Sequence, residues 1–216
     1  MATNNPPGAA MFVPQGATLP HLREAVQRCM GCELYRRATL GVLGEGPSTA
    51  RIVMIGEQPG DKEDLAGKPF VGPAGGLLTR ALEDAGIDRS DVYITNAVKH
   101  FKFEERGKRR IHKKPSETEI LACRPWLDAE LSRIRPEIIV CLGATAARAV
   151  IGKKHRLLQE RGRFFEHSEA KSVTATVHPS AILCAPTHEQ RHDTYEAFVA
   201  DLRAVRRKLE RTARAL

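Results

Sequence analysis

The chain has 216 residues, is 42% hydrophobic and 28% charged, and carries 34 Lys and Arg against 26 Asp and Glu for a net charge of +8. This composition is globular, the length suits one α/β domain with a full core, and no apolar run approaches the roughly 18–20 residues of a membrane span. The cationic excess favours an anionic partner, nucleic acid being the simplest.

The opening MATNNPPGAA has neither the basic nor the apolar segment of a secretory signal, so a cytoplasmic location is expected. Residues 1–18, rich in Pro, Gly, Asn and Thr, read as a disordered tail, and residues 19–216 as a single domain without internal repeats. A short helix is expected over residues 19–26, running into Cys29, and GEGPST (44–49) is a turn cluster. Four strand-like runs follow: RIVMIG (51–56), DVYITN (91–96), EIIVCLG (137–143) and SVTATV (172–177). Each is short and rich in β-branched or apolar residues, as buried strands are. Helical stretches separate them. PAGGLLTRALEDAG (73–86) places Leu77, Leu78, Ala81 and Leu82 on one side. SETEILACRPWLDAELSRI (116–134) opens with Ser116 and Glu119, a capping box, and Pro125 is expected to kink it. The last helix starts at THEQ, where Thr187 and Gln190 form a second box, and runs to about Ala213.

Strand–helix alternation predicts an α/β fold, one domain with a central four-stranded parallel sheet flanked by helices. Such sheets bind ligands at the carboxyl ends of their strands. The residues that follow those ends are GEQPGD, TN, GATA and HPS, so Glu57, Gln58, Asp61, Asn96, His178 and Ser180 converge on one edge. GDKEDLAGKP is not a phosphate loop. With Lys68 as its lysine it would need Gly at 62 and Ser or Thr at 69, where Lys62 and Pro69 stand.

Residues 99–115 form a polar loop holding Lys102, Arg106, Lys108, Arg109, Arg110, Lys113 and Lys114, with one histidine, His112, inside the cationic block KRRIHKKP. Its charge suits backbone phosphates, and loops of this length tend to be functional. Of the five cysteines, Cys29-x2-Cys32 puts two thiolates within reach of one centre, and Cys123 and Cys141 come from a neighbouring helix and strand. Four thiolates suit zinc or an iron–sulfur cluster, and spacing alone does not choose; Cys123 and Cys141 also read as small buried hydrophobes. Cys184 is left over.

GEQPGDKEDLAGKPFVGPAGGLL, YITNAVKH, CLGATAA and VHPS resemble the motifs of family 4 uracil-DNA glycosylases, over residues 29–180. The resemblance implies a 4Fe–4S cluster, in preference to zinc, with Cys29, Cys32, Cys123 and Cys141 as its ligands. Two features depart from ordinary members, Gln58 where Ala is usual and the KRRIH insertion, and both are similar to the UdgX branch. Members of that branch excise uracil and stay covalently attached to the DNA through a loop histidine, which here is His112.

The same resemblance implies the remaining roles. Phe70 stacks on the flipped base, and Asn96 reads uracil, with Gln58 and Asp61 beside it. His178 faces uracil O2, and Glu57 lies beside the sugar. Lys108, Arg109, Arg110, Lys113 and Ser180 hold the DNA. The expected partner is uracil-containing, single-stranded DNA, the expected state a monomer with no membrane association, and the reaction a single turnover. Two other readings stay open: an ordinary glycosylase that uses water, and a non-catalytic DNA-binding module with a structural metal.

Overall fold

The computed structural model describes residues 8–214. Its strands are β1 (Ile52–Gly56), β2 (Val92–Asn96), β3 (Phe103–Arg106), β4 (Arg109–His112), β5 (Ile138–Leu142), β6 (Phe164–His167) and β7 (Ala170–Thr176). Its helices are α1 (Leu19–Ala25), α2 (Asp61–Ala66), α3 (Pro73–Ala85), α4 (Glu117–Ile134), α5 (Ala144–Val150), α6 (Leu157–Glu160), α7 (Pro179–Leu183) and α8 (His188–Arg214).

The main sheet has the order β2-β1-β5-β7-β6. The four expected strands, β1, β2, β5 and β7, are present and parallel. The sheet has five strands rather than four, because β6 adds to the β7 edge antiparallel. Every residue of β1, β2 and β5 is buried, which is why they read as continuous apolar runs. Alternate residues serve opposite layers. Val53, Ile55, Ile139, Cys141 and Val173 share a cluster with α1, α4 and the segment around Cys29, and Ile52, Met54, Ile138 and Val140 share another with α3 and α8. Ser116 caps α4 as its sequence predicts, with Glu119 N–H donating to Ser116 Oγ at 3.2 Å and Ser116 N–H to Glu119 Oε2 at 2.5 Å; the helix continues on both sides of Pro125. Among the described residues no helix is long and apolar enough to cross a membrane.

Two expectations change. The tail packs before its expected end: Ala9 is buried and its N–H donates to Ala122 O at 2.8 Å, and Phe12 and Val13 lie against the core. Residues 1–7 of that tail lie outside the described residues. The basic loop is not irregular. Its centre is the hairpin β3–β4, with Phe103 opposite His112 and Glu105 opposite Arg110, turning through Gly107 at φ 59°. Glycine there supplies the left-handed backbone of a two-residue turn.

Below the end of β2 lies a fully buried ion pair. Lys99 Nζ stands 2.5 Å from Glu130 Oε2, and both side chains are 0% exposed. The same ammonium donates to Thr95 Oγ1 at 2.8 Å and to the Asn96 carbonyl at 2.7 Å. The carboxylate also accepts from Gly44 N–H at 2.7 Å and Tyr93 OH at 2.8 Å. Such a pair offsets its desolvation only when every lone pair and proton is used, as here.

Candidate active site

At the carboxyl edge of the sheet a cavity of about 400 Å³ is lined by Glu57, Gln58, Phe70, Asn96, His112, Thr145, His178 and Ser180, among others. Seven of the residues expected from sequence are therefore gathered in one place; Asp61 is not.

Asn96 ends β2, is 2% exposed, and its side-chain amide makes no hydrogen bond among the described residues. An amide that opens on a cavity without a protein partner is left for a ligand to meet. Gly56 ends β1 directly opposite, and a Cβ there would meet Asn96 Oδ1 at 2.3 Å and the Phe70 ring at 2.9 Å. The bare glycine lets an amide edge and an aromatic ring approach the same spot. Phe70 is held at φ 55°, a left-handed conformation costing about 1–3 kcal/mol for a bulky residue. Gly75 permits it, since a Cβ at that position would lie 1.6 Å from Phe70 O.

His178 caps α7, and its ring centroid lies 5.8 Å from that of Phe70. Ser180 N–H donates to His178 Nδ1 at 3.2 Å, with the Ser180 hydroxyl 2.7 Å from the same nitrogen. A backbone N–H can only donate, so Nδ1 is the acceptor and the ring proton sits on Nε2. Burial, reinforced by the nearby His112, pushes the ring down to about 4 from 6.5, so it is neutral at pH 7. Nitrogen NMR is expected to show the Nε2–H tautomer of His178 down to about pH 5, with protonation only near pH 4. Because this value lies below that of the unfolded chain, the unfolded state takes up the proton first, and stability falls as pH drops from 6.5 toward 4. A His178 that titrates near 6.5 would contradict the assignment.

The hairpin delivers His112. Its Nε2 lies 3.5 Å from Glu57 Oε1, and the ring is 49% exposed. Glu57 Oε2 accepts from the Thr145 hydroxyl at the start of α5. Thr145 was missed in the sequence, where GATA is noted only as the segment that follows the third strand.

Gln58, expected at uracil, spends its amide elsewhere. Its Nε2 donates to Lys102 O at 3.1 Å and Lys113 O at 3.0 Å, and its Oε1 accepts from Lys102 N–H at 3.1 Å. It clasps the two feet of the hairpin. Asp61 likewise faces the hairpin: Arg110 donates to Asp61 Oδ1 at 2.5 Å and to buried Asp64 Oδ2 at 2.6 Å, with its guanidinium over the rings of Phe101 and Phe103. Arg110 is thus an anchor with its fork already filled, not a free phosphate contact. Lys113 pairs with Glu104 at 2.8 Å. Lys108 and Arg109 are exposed at the hairpin turn and form no ion pair among the described residues.

Burial raises the Cys32 thiol, with Cys29 adding, and pushes Cys123 up to about 12, with Cys32 and Cys29 adding. Cys29 and Cys32 therefore lie near Cys123. Cys141 is also raised by burial, but the charge opposing this is that of Arg124, and no other cysteine acts on it. Exposed Cys184 ends α7.

Known proteins share the sequence of this chain over most of its length. The model of the uracil DNA glycosylase superfamily matches residues 43–203. A type-4 uracil-DNA glycosylase of Thermotoga maritima is 41% identical over 174 residues, covering 80% of this chain and 87% of the relative. One of Saccharolobus solfataricus is 39% identical over 173 residues, covering 76% and 77%, and one of Archaeoglobus fulgidus is 35% identical over 187 residues, covering 83% and 89%. The chain belongs to the uracil-DNA glycosylase superfamily. Among curated relatives, these type-4 enzymes align over most of both chains.

Proposed function

We propose that this protein is a uracil-DNA glycosylase that excises uracil and then retains the abasic sugar through a bond between His112 and C1′. The observation that carries this reading is the meeting, across one cavity, of the unpartnered Asn96 amide with the Glu57–His112 pair.

Uracil in a duplex is out of reach, so the base is flipped or taken from single-stranded DNA, which requires no unpairing. Phe70 supplies the stacking face. The Asn96 amide donates to uracil O4 and accepts from N3–H, a pattern that cytosine inverts with its N4 donor and N3 acceptor. As the N1–C1′ bond breaks, its electron pair goes to uracil N1 and positive charge develops on the sugar. His178 Nε2–H donates to O2, where the negative charge spreads, and the Glu57 carboxylate stabilises the cation. A lone pair of the His112 imidazole then bonds C1′, and the ring proton passes to Glu57, the nearest base. An alkylated imidazole is a poor leaving group, so the adduct persists and the protein acts once. Exposed Lys108 and Arg109 are free to meet phosphates, and Ser180 lines the cavity. A 4Fe–4S cluster belongs to this reading as a structural tie that Cys29, Cys32 and, from α4, Cys123 would hold; it would supply no step of the reaction.

The names of the relatives favour a second reading, ordinary turnover with water as nucleophile. One gel separates the two. The protein is mixed with uracil-containing single-stranded DNA and run under denaturing conditions. A slow band stable to SDS is expected; alkali-cleavable abasic DNA without that band means turnover, and untouched DNA means binding alone.

A further inference from the structure

A second cavity, of about 310 Å³, lies between the start of α4 and α5, and Lys114 and Thr145 line both it and the first. Glu117, Ile120, Leu121 and Arg124 stand at i, i+3, i+4 and i+7 on one face of α4. Thr145, Arg148 and Ala149 stand at i, i+3 and i+4 on one face of α5. Thr145, whose hydroxyl donates to Glu57, therefore belongs to the reacting edge and to this second face at once. One turn beyond Leu121, Arg124 donates to Ala149 O at 2.8 Å and ties the two helices together. The groove thus meets the reacting edge at one end and is tied across at the other.

Its walls say what fits. Pro115, Ile120 and Leu121 form an apolar strip, and Leu121 is 61% exposed. Four cations, Lys114, Arg124, Arg148 and Lys153, line the groove against one carboxylate, Glu117. Two of the four are committed. Arg124 pairs with Asp128 and with Glu169, and Lys153 pairs with Glu117. Lys114 and Arg148 are exposed and form no ion pair among the described residues. An apolar strip beside two free cations matches a nucleotide, which joins a flat base to an anionic phosphate.

The geometry points to this groove as the seat of the nucleotide next to the uracil in single-stranded DNA, its base against Ile120 and Leu121 and its phosphate met by Lys114 and Arg148. The inference rests on the proposed activity, and gives the groove a part in binding but none in bond breaking. A base lodged there has left its stack, which costs least in a single strand.

The test follows uracil release by the full chain, in excess over single-stranded oligonucleotides, at several salt concentrations. One oligonucleotide is intact, and two others carry an abasic tetrahydrofuran residue immediately 5′ or immediately 3′ of the uracil. On one side the missing base is expected to raise the half-saturating protein concentration roughly fivefold, as loss of a modest apolar contact does, and on the other side less. Leu121→Ser is expected to weaken the intact oligonucleotide by a similar factor and to make that abasic substitution silent. Arg148→Gln is expected to reduce the slope of log affinity against log salt by about 0.7, the share of one phosphate contact in a single strand. The maximal rate of release is expected to stay the same in both variants. Both side chains are exposed, so neither change threatens the fold. Unchanged half-saturation and salt slope in the two variants would overturn the groove alone, as would abasic and Leu121→Ser effects that multiply instead of overlapping. Absence of uracil release from the unsubstituted protein would overturn the activity on which the inference rests.

Discussion

His112→Ala is expected to abolish the SDS-stable adduct, to below about 1% of the unsubstituted yield, while uracil release continues as turnover. The side chain is half exposed on β4 and contributes little to the core, so the fold is expected to keep its stability within about 1 kcal/mol. Asn96, Phe70 and His178 come from other elements and keep their places, so uracil is still read and its leaving group still stabilised. What changes is the second half-reaction. With the imidazole gone, water occupies its space beside Glu57 and reaches C1′ instead. Denaturing gels and a uracil-release assay measure the two halves separately. An adduct that survives the substitution shows that His112 is not the nucleophile. Loss of uracil release together with the adduct shows that bond breaking itself depends on the imidazole.

Glu130→Ala is expected to cost about 3–5 kcal/mol, because it leaves the Lys99 ammonium buried and unpaired. In a domain of this size that corresponds to a fall of roughly 10 °C in the thermal midpoint. Three other groups lose their acceptor at once: Gly44 N–H, Tyr93 OH and the Thr95 hydroxyl. Replacing both members, Lys99→Met with Glu130→Met, is expected to cost less than either single change, since no lone charge remains. Thermal melts of the three variants check this order. A double variant as unstable as the sum of the singles would mean that the pair is not energetically coupled.

The parallel core was legible because its strands are short, continuous apolar runs, and because Ser116 and Glu119 declare the start of α4. Convergence at the strand ends followed from the topology rule alone, and Glu57, Gln58, Asn96, His178 and Ser180 do line one cavity, which Asp61 does not. Strand β6 was hidden, since FFEH is a short edge strand whose partner bond starts only across the turn to β7. The β3–β4 hairpin was hidden because its charges mask a two-residue glycine turn. Gln58 and Arg110 lie in the expected neighbourhood, but their hydrogen bonds within the chain were not foreseen. A side chain's partner depends on which backbone comes to meet it, and the hairpin that meets both was read as a loop.

Phe70 and Gly75 carry a broader lesson about where specificity is stored. The aromatic platform depends on a turn that only a hydrogen at position 75 leaves room for. A single methyl group there would unseat the platform without touching any ligand. The tolerance of this pocket to mutation is therefore narrowest at a residue with no chemistry of its own, and an engineer wishing to admit a bulkier base has more to gain from the path of that turn than from the ring it presents.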